Sequence, residues 1–205
     1  MHFLELSAFS ADQIEDLFAL ADQLKRKERG DALSGKTFVL FFPETSLRTR
    51  IAFEKGIRAL GGDCLLFPPE TLDKREPLMD VAGYLNNEAD GVVIRHADFT
   101  RLKEFAKHAS IPVVNAMTGD NHPCEVLSDL YAIRERRRNY KSLVYTFVGP
   151  ATNIAKSWTE IACVMELEFR HVCSTGQAIR GDDRHYRFTT DLDRALAGSD
   201  VVLTD

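Results

Sequence analysis

A net charge of −5 over 205 residues argues against broad electrostatic attraction to nucleic acid or to an anionic membrane surface. The length suffices for one full domain, or for one and part of another, with ordinary globular proportions of apolar and charged residues. Cys64, Cys124, Cys163 and Cys173 lie far apart, with no C-x-x-C pair and no metal-like spacing, so they read as reduced thiols rather than a disulfide framework or a metal site. Glu5 interrupts the first apolar stretch, so no signal peptide is evident, and no apolar run approaches membrane-spanning length. The expectation is a soluble, cytoplasmic protein.

In chain order, Ser10-Ala-Asp-Gln13 has capping-box form, and Ile14, Leu17, Phe18, Ala21 and Leu24 make one apolar helical face. Lys25, Arg26 and Lys27 close that helix, and Gly30 suits its stop. Residues 37–42 read as a buried strand broken by Pro43. Thr49, Ala52, Phe53, Gly56, Ile57 and Leu60 then recur at helical spacing up to Gly61-Gly62. A short strand (64–67) is stopped by Pro68-Pro69, residues 70–76 read as a loop, and Pro77 suits the first position of a helix with Leu78, Val81, Ala82 and Leu85 inward.

Residues 91–94 form the next strand, with Arg95 and His96 at its carboxyl end. A helix (98–108), a strand (111–114), a turn-rich stretch (115–121) and a helix beginning at Pro123 follow. That helix ends in Arg134-Glu-Arg-Arg-Arg138, a basic run suited to a solvated helix C-terminus. The β-α pattern restarts with a strand (142–147), a helix (153–165) and a strand (168–173). A polar loop extends to Arg187, followed by a short helix (191–197) and a strand (201–203). The alternation predicts an α/β fold with parallel sheets and helices on both faces, in two similar domains, residues 1–135 and 136–205, the second incomplete.

Ser46, Arg48, Thr49 and Arg50 fall on a turn and first helical turn directly after a buried strand. Free backbone N–H groups and the helix dipole favour an anion there. Two hydroxyls and two guanidiniums added to that spot make a site for a small doubly charged group, most simply a phosphate. No Gly-x-x-x-x-Gly-Lys precedes the helix, so this is not a nucleotide P-loop. Ligands of parallel sheets sit beyond the carboxyl ends of strands, and Arg95 and His122 with Glu125 fall at two further such ends.

Phe42-Pro-Glu-Thr-Ser-Leu-Arg-Thr-Arg50 with Phe53-Glu54 resembles the carbamoyl-phosphate signature of the aspartate/ornithine carbamoyltransferase family. The resemblance continues through Val93-Ile-Arg-His96, His122-Pro-Cys-Glu125 and Val148-Gly-Pro-Ala-Thr-Asn-Ile-Ala-Lys-Ser-Trp158. It implies that Ser46, Leu47, Arg48, Thr49 and Arg50 hold the phosphate and that Arg95 bridges phosphate and carbonyl oxygen. It also implies that His122 bonds that oxygen together with Thr49, making Arg95, His122 and Thr49 the catalytic set. Neither cofactor nor metal is implied; the chemistry is amine attack on an activated carbonyl, served by positioned cations and donors.

Glu125 stands where the family pattern usually has glutamine, facing the carbamoyl amino group. Asn153 matches an asparagine that contacts the α-carboxylate end of the second substrate, although Pro150, Ala151 and Thr152 alter the loop before it. Thr204-Asp205 resembles the start of an ornithine-contacting segment, with Asp205 as the candidate contact. The implied reaction is carbamoyl transfer from carbamoyl phosphate to an amino acid in a homotrimer, with ornithine favoured as acceptor. Aspartate, another amine, or a non-catalytic binding or assembly role are the alternatives.

Overall fold

The computed structural model describes every residue except Lys27 and Arg29, so the expected closing contribution of Lys27 to the first helix lies outside the described residues. Two compact units emerge: Met1–Leu4 with Asp16–Gly119, and Glu5–Glu15 with Asp120–Asp205. The change of unit at residue 120 precedes the change of strand–helix pattern that put the sequence-level boundary at residue 136.

In the first unit, β1 (Thr37–Phe41), β2 (Asp63–Phe67), β3 (Gly91–Arg95) and β4 (Val113–Met117) form one parallel sheet in the order β2-β1-β3-β4. Its helices are α2 (Arg48–Ala59), α3 (Leu78–Glu88) and α4 (Phe99–His108). The central strands β1 and β3 read as unbroken apolar runs because both of their faces are covered, whereas the edge strand β2 leaves Leu65 and Phe67 exposed. Val39, Phe41, Val92 and Ile94 pack with Leu78, Ala82 and Leu85 of α3 and Leu102 and Phe105 of α4. Leu40, Phe42, Val93 and Ala116 turn to the opposite face with Ile57 of α2. Helices on both faces follow from this alternation.

Local signals set several boundaries. Helix α1 (Ala11–Lys25) opens on a reciprocal capping box: Ser10 N–H donates to Gln13 Oε1 at 2.9 Å, and Gln13 N–H to Ser10 Oγ at 3.2 Å. Asp98 caps α4 by accepting from Thr100 and Arg101 N–H, and Gly61 ends the α2 turn at φ 84. Pro77 is the N-cap of α3, one position before the first-turn place expected for it.

Three expectations need correction. Residues 115–117, read as turn, belong to β4, because the Asn115 side chain donates to Leu4 O at 2.8 Å and accepts from Met117 N–H at 2.9 Å, so a turn-type residue is fully bonded inside a sheet. The loop at 70–76 begins as the 3₁₀ helix Pro69–Asp73, anchored by buried Leu72. The polar stretch before Arg187 runs into a strand, β7 (Tyr186–Thr189), which pairs with Phe169 to Val172.

The second unit holds α5 (Pro123–Arg136), α6 (Asn153–Val164) and α7 (Leu192–Leu196) with β5 (Val144–Val148), β6 (Glu168–Val172), β7 (Tyr186–Thr189) and β8 (Val201–Leu203). Its parallel sheet has the order β7-β6-β5-β8, four strands rather than the three expected. An aromatic ladder fills the core: Trp158 stacks on Phe169 at 6.4 Å and 10°, lies 5.5 Å from Tyr145, and Phe169 meets Tyr186. Glu160 accepts Leu6 N–H at 2.9 Å, and burial pushes its carboxyl above the usual range. None of the four cysteines forms a disulfide, and desolvation pushes the Cys124 thiol up to about 12, which suits packing rather than nucleophilic chemistry. Among the described residues no helix is long and apolar enough to cross a membrane.

Candidate active site

Strand order locates the site in the first unit. From β1 the chain passes to β2 on one side, then returns to place β3 on the other, so β1/β3 is the point where the direction of winding reverses. In open parallel sheets ligands bind at such a reversal, beyond the carboxyl ends of the strands, because the connections leave in opposite directions. Ser46 and α2 follow β1, and Arg95 is the last residue of β3.

Arg95 Nη1 donates to Ser46 Oγ at 3.1 Å and lies 3.4 Å from Thr49 Oγ1. The β3/β4 register slips between Ile94 and Arg95, an irregularity that re-aims the terminal side chain. Ser46 is 4% exposed and held in a turn by its N–H to Pro43 O at 2.9 Å. The N-cap residue Leu47 supplies no capping side chain, so the first N–H groups of α2 lack a cap from that position. Leu47, at the N-cap, is 69% exposed. Arg48 is exposed and engages no carboxylate among the described residues. Arg50 differs: its Nε is 2.7 Å from Glu54 Oε1, one helical turn along, so its charge is shared with α2. The structure therefore groups Ser46, Thr49 and Arg95 directly, leaves Arg48 open, and ties Arg50 back.

His122, Glu125, Asn153 and Asp205 belong to the second unit. His122 is 4% exposed, the N-cap of α5, and its N–H donates to Ser157 Oγ at 2.9 Å. Its Nε2 lies 2.8 Å from Glu125 Oε2, so the residue that departs from the expected glutamine is the one that holds the imidazole. His122 Nδ1 is buried without a partner among the described residues, a state that a ligand hydrogen bond relieves. Desolvation, and then the Glu125 charge, raise the Asp129 carboxyl one turn further along α5.

The second sheet repeats the winding logic, because β8 returns beside β5 on the side opposite β6. Asn153 opens α6 after β5, and Asp205 follows β8. Thr204 Oγ1 donates to Val148 O at 3.0 Å, joining the two strand ends. Thr152 caps α6 through Ala155 N–H at 3.4 Å. Asn153 and Asp205 thus share the second winding reversal. Ser157 was not legible as a site residue, since a serine inside an apolar helix carries no signal of its own.

Residues 1–135 match the family model for the aspartate/ornithine carbamoyltransferase carbamoyl-P binding domain. The chain belongs to the aspartate/ornithine carbamoyltransferase family. It is 32% identical to an ornithine carbamoyltransferase of Geobacter sulfurreducens, the alignment covering all of this chain and 72% of that one. Among solved structures it is similar to the anabolic ornithine carbamoyltransferase of Campylobacter jejuni, with TM-score 0.91, 31% identity and coverage of 100% and 72%. It also resembles an N-acetyl-L-ornithine transcarbamylase, with TM-score 0.84, 26% identity and coverage of 100% and 75%. The family's two parallel α/β units are therefore those described above, in a chain shorter than these relatives.

Proposed function

We propose that the protein is a carbamoyltransferase that moves the carbamoyl group of carbamoyl phosphate to an amino group, with ornithine as the favoured acceptor, giving citrulline and phosphate. The observation that carries this reading is the meeting of Arg95 with the Ser46 and Thr49 hydroxyls beside the start of α2, whose N-cap residue supplies no capping side chain. A phosphate dianion suits backbone N–H groups, hydroxyls and guanidiniums together, because each supplies a donor and the cations supply charge. In this reading Ser46, Leu47, Arg48, Thr49 and Arg50 bind the phosphate, with Arg50 shared with Glu54. Arg95 stabilises the charge that develops on the carbonyl oxygen as the amine attacks and phosphate leaves.

The roles of His122 and Glu125 at the carbamoyl group, and of Asn153 and Asp205 at the amino acid, rest on the motif resemblance. The names of the relatives favour ornithine, while the transcarbamylase likeness keeps a substituted amine open. A cytoplasmic location and a homotrimer belong to the same proposal. The first unit leaves Leu47, Ile51, Phe67, Met79 and Tyr84 exposed, apolar surface that a second copy would cover. Light scattering at three times the 23.1 kDa chain mass is the expected result, and a monomer at micromolar concentration would count against it.

The direct test is ureido product formation from carbamoyl phosphate and an amine panel containing ornithine, N-acetylornithine and aspartate. Product with ornithine, lost in Arg48→Ala, supports the assignment. No product from a folded chain with any amine would favour the binding or assembly role.

Glu125→Gln is expected to tighten carbamoyl-phosphate binding by roughly tenfold. Unit charges ~4 Å apart repel by about 4 kcal/mol at an effective dielectric of 20, and solvent and the His122 partner reduce that figure. Glu125 is exposed and its carboxylate lies against His122, so only part of the repulsion reaches the dianion. Titration showing unchanged or weaker binding would sink the repulsion argument.

A further inference from the structure

A polar network crosses the aromatic core of the second unit and ends on the loop before Asn153. His171 Nε2 lies 2.8 Å from Gly149 O, His171 Nδ1 lies 3.0 Å from Tyr186 Oη, and Ile179 N–H donates to that same Oη at 2.9 Å. His171 and Tyr186 are fully buried, and desolvation holds the imidazole below its usual range, hence neutral. A carbonyl only accepts, so Nε2 carries the proton and Nδ1 is an acceptor. Tyr186 O–H therefore donates to Nδ1 while its oxygen accepts from Ile179. One direction of hydrogen bonding satisfies every group.

The network ends on a backbone position that ordinary side chains rarely adopt. Gly149 has φ 147, a region closed to ordinary side chains, and its N–H donates to Val172 O at 3.0 Å. Ala151 N–H donates to Gln177 Oε1 at 3.2 Å, so the segment carrying Ile179 grips the loop a second time. Three residues separate Gly149 from Asn153, at the first turn of α6.

We propose that His171 and Tyr186 are positioning residues that fix the loop at 149–152 and so set where Asn153 meets the acceptor amino acid. The inference rests on the acceptor role of Asn153 given above. It assigns a positioning function to a fully buried histidine–tyrosine pair.

The test uses the full chain with Tyr186→Phe, which keeps the ring and removes one hydroxyl, leaving His171 Nδ1 and the Ile179 N–H unpaired. Amide exchange at Gly149, Ala151 and Thr152 is expected to rise roughly tenfold, while Tyr145 and Phe147 in β5 keep their protection. The KM for ornithine is expected to rise by a similar factor, with kcat within about twofold. His171→Gln, whose amide supplies one donor and one acceptor, should recover most of the affinity that His171→Phe loses. Unchanged loop exchange in Tyr186→Phe overturns the proposal, and so does a loosened loop with an unaltered ornithine KM. If the unmodified chain neither binds nor carbamoylates an amine, the functional reading fails, and exchange alone decides whether the pair holds the loop.

Discussion

Arg95→Ala is expected to lower kcat/KM for carbamoyl transfer by roughly 100- to 1,000-fold, the range found when one preorganised donor to a developing oxyanion is removed. The size follows from where the side chain sits. Its guanidinium is half-buried at the winding reversal between β1 and β3 and already contacts Ser46 and Thr49, so it needs little reorganisation when charge appears. Arg95→Lys keeps a charge but loses the guanidinium's further donors, since Nη1 alone meets Ser46 and Thr49, so it should recover only part of the loss. Steady-state kinetics with a circular-dichroism control checks this. A folded Arg95→Ala protein within tenfold of the starting rate would remove Arg95 from the chemistry.

The largest stability effect is expected at Trp158. The indole is fully buried, stacked on Phe169 and packed against Tyr145, so Trp158→Ala should cost about 3–5 kcal/mol. Trp158→Phe should cost far less than its lost volume suggests. The indole N–H has no partner among the described residues, and removing an unpaired buried donor offsets part of the lost packing. Trp158 is the sole tryptophan, so urea unfolding must be followed by circular dichroism. The alanine variant should shift the second-unit midpoint by at least about 1 M. Equal losses for the two variants would show that the N–H is satisfied in solution.

Local chemistry made much of this fold legible. The Ser10/Gln13 box, Pro123 at a helix start and Gly61 after α2 each act within a few residues, and each stands where sequence places it. The apolar runs of β1 and β3 likewise announce burial on both faces. Asn115 misled because its bond to Leu4 exists only once the N-terminus pairs with β4. Strand β7 was hidden because its four residues follow a polar stretch, and only Tyr186 faces the core fully.

At the candidate site, residue types were readable and their geometry was not. The hydroxyl–guanidinium cluster stands out as composition, and Arg95 reads as a strand end. That Arg50 turns to Glu54, and that Glu125 takes the His122 imidazole, depends on side-chain competition that spacing does not encode. His171 and Tyr186 gave no signal, since a histidine between apolar strand residues looks like ordinary core.

The most direct test of the phosphate-site assignment is calorimetric titration of the chain with carbamoyl phosphate, using Arg48→Ala for comparison. It interrogates Ser46, Arg48, Thr49 and Arg95 without requiring turnover or a known acceptor. Saturable binding that Arg48→Ala abolishes is the expected result. A folded chain that shows no saturable binding, or a variant that binds as well as the original, would contradict it.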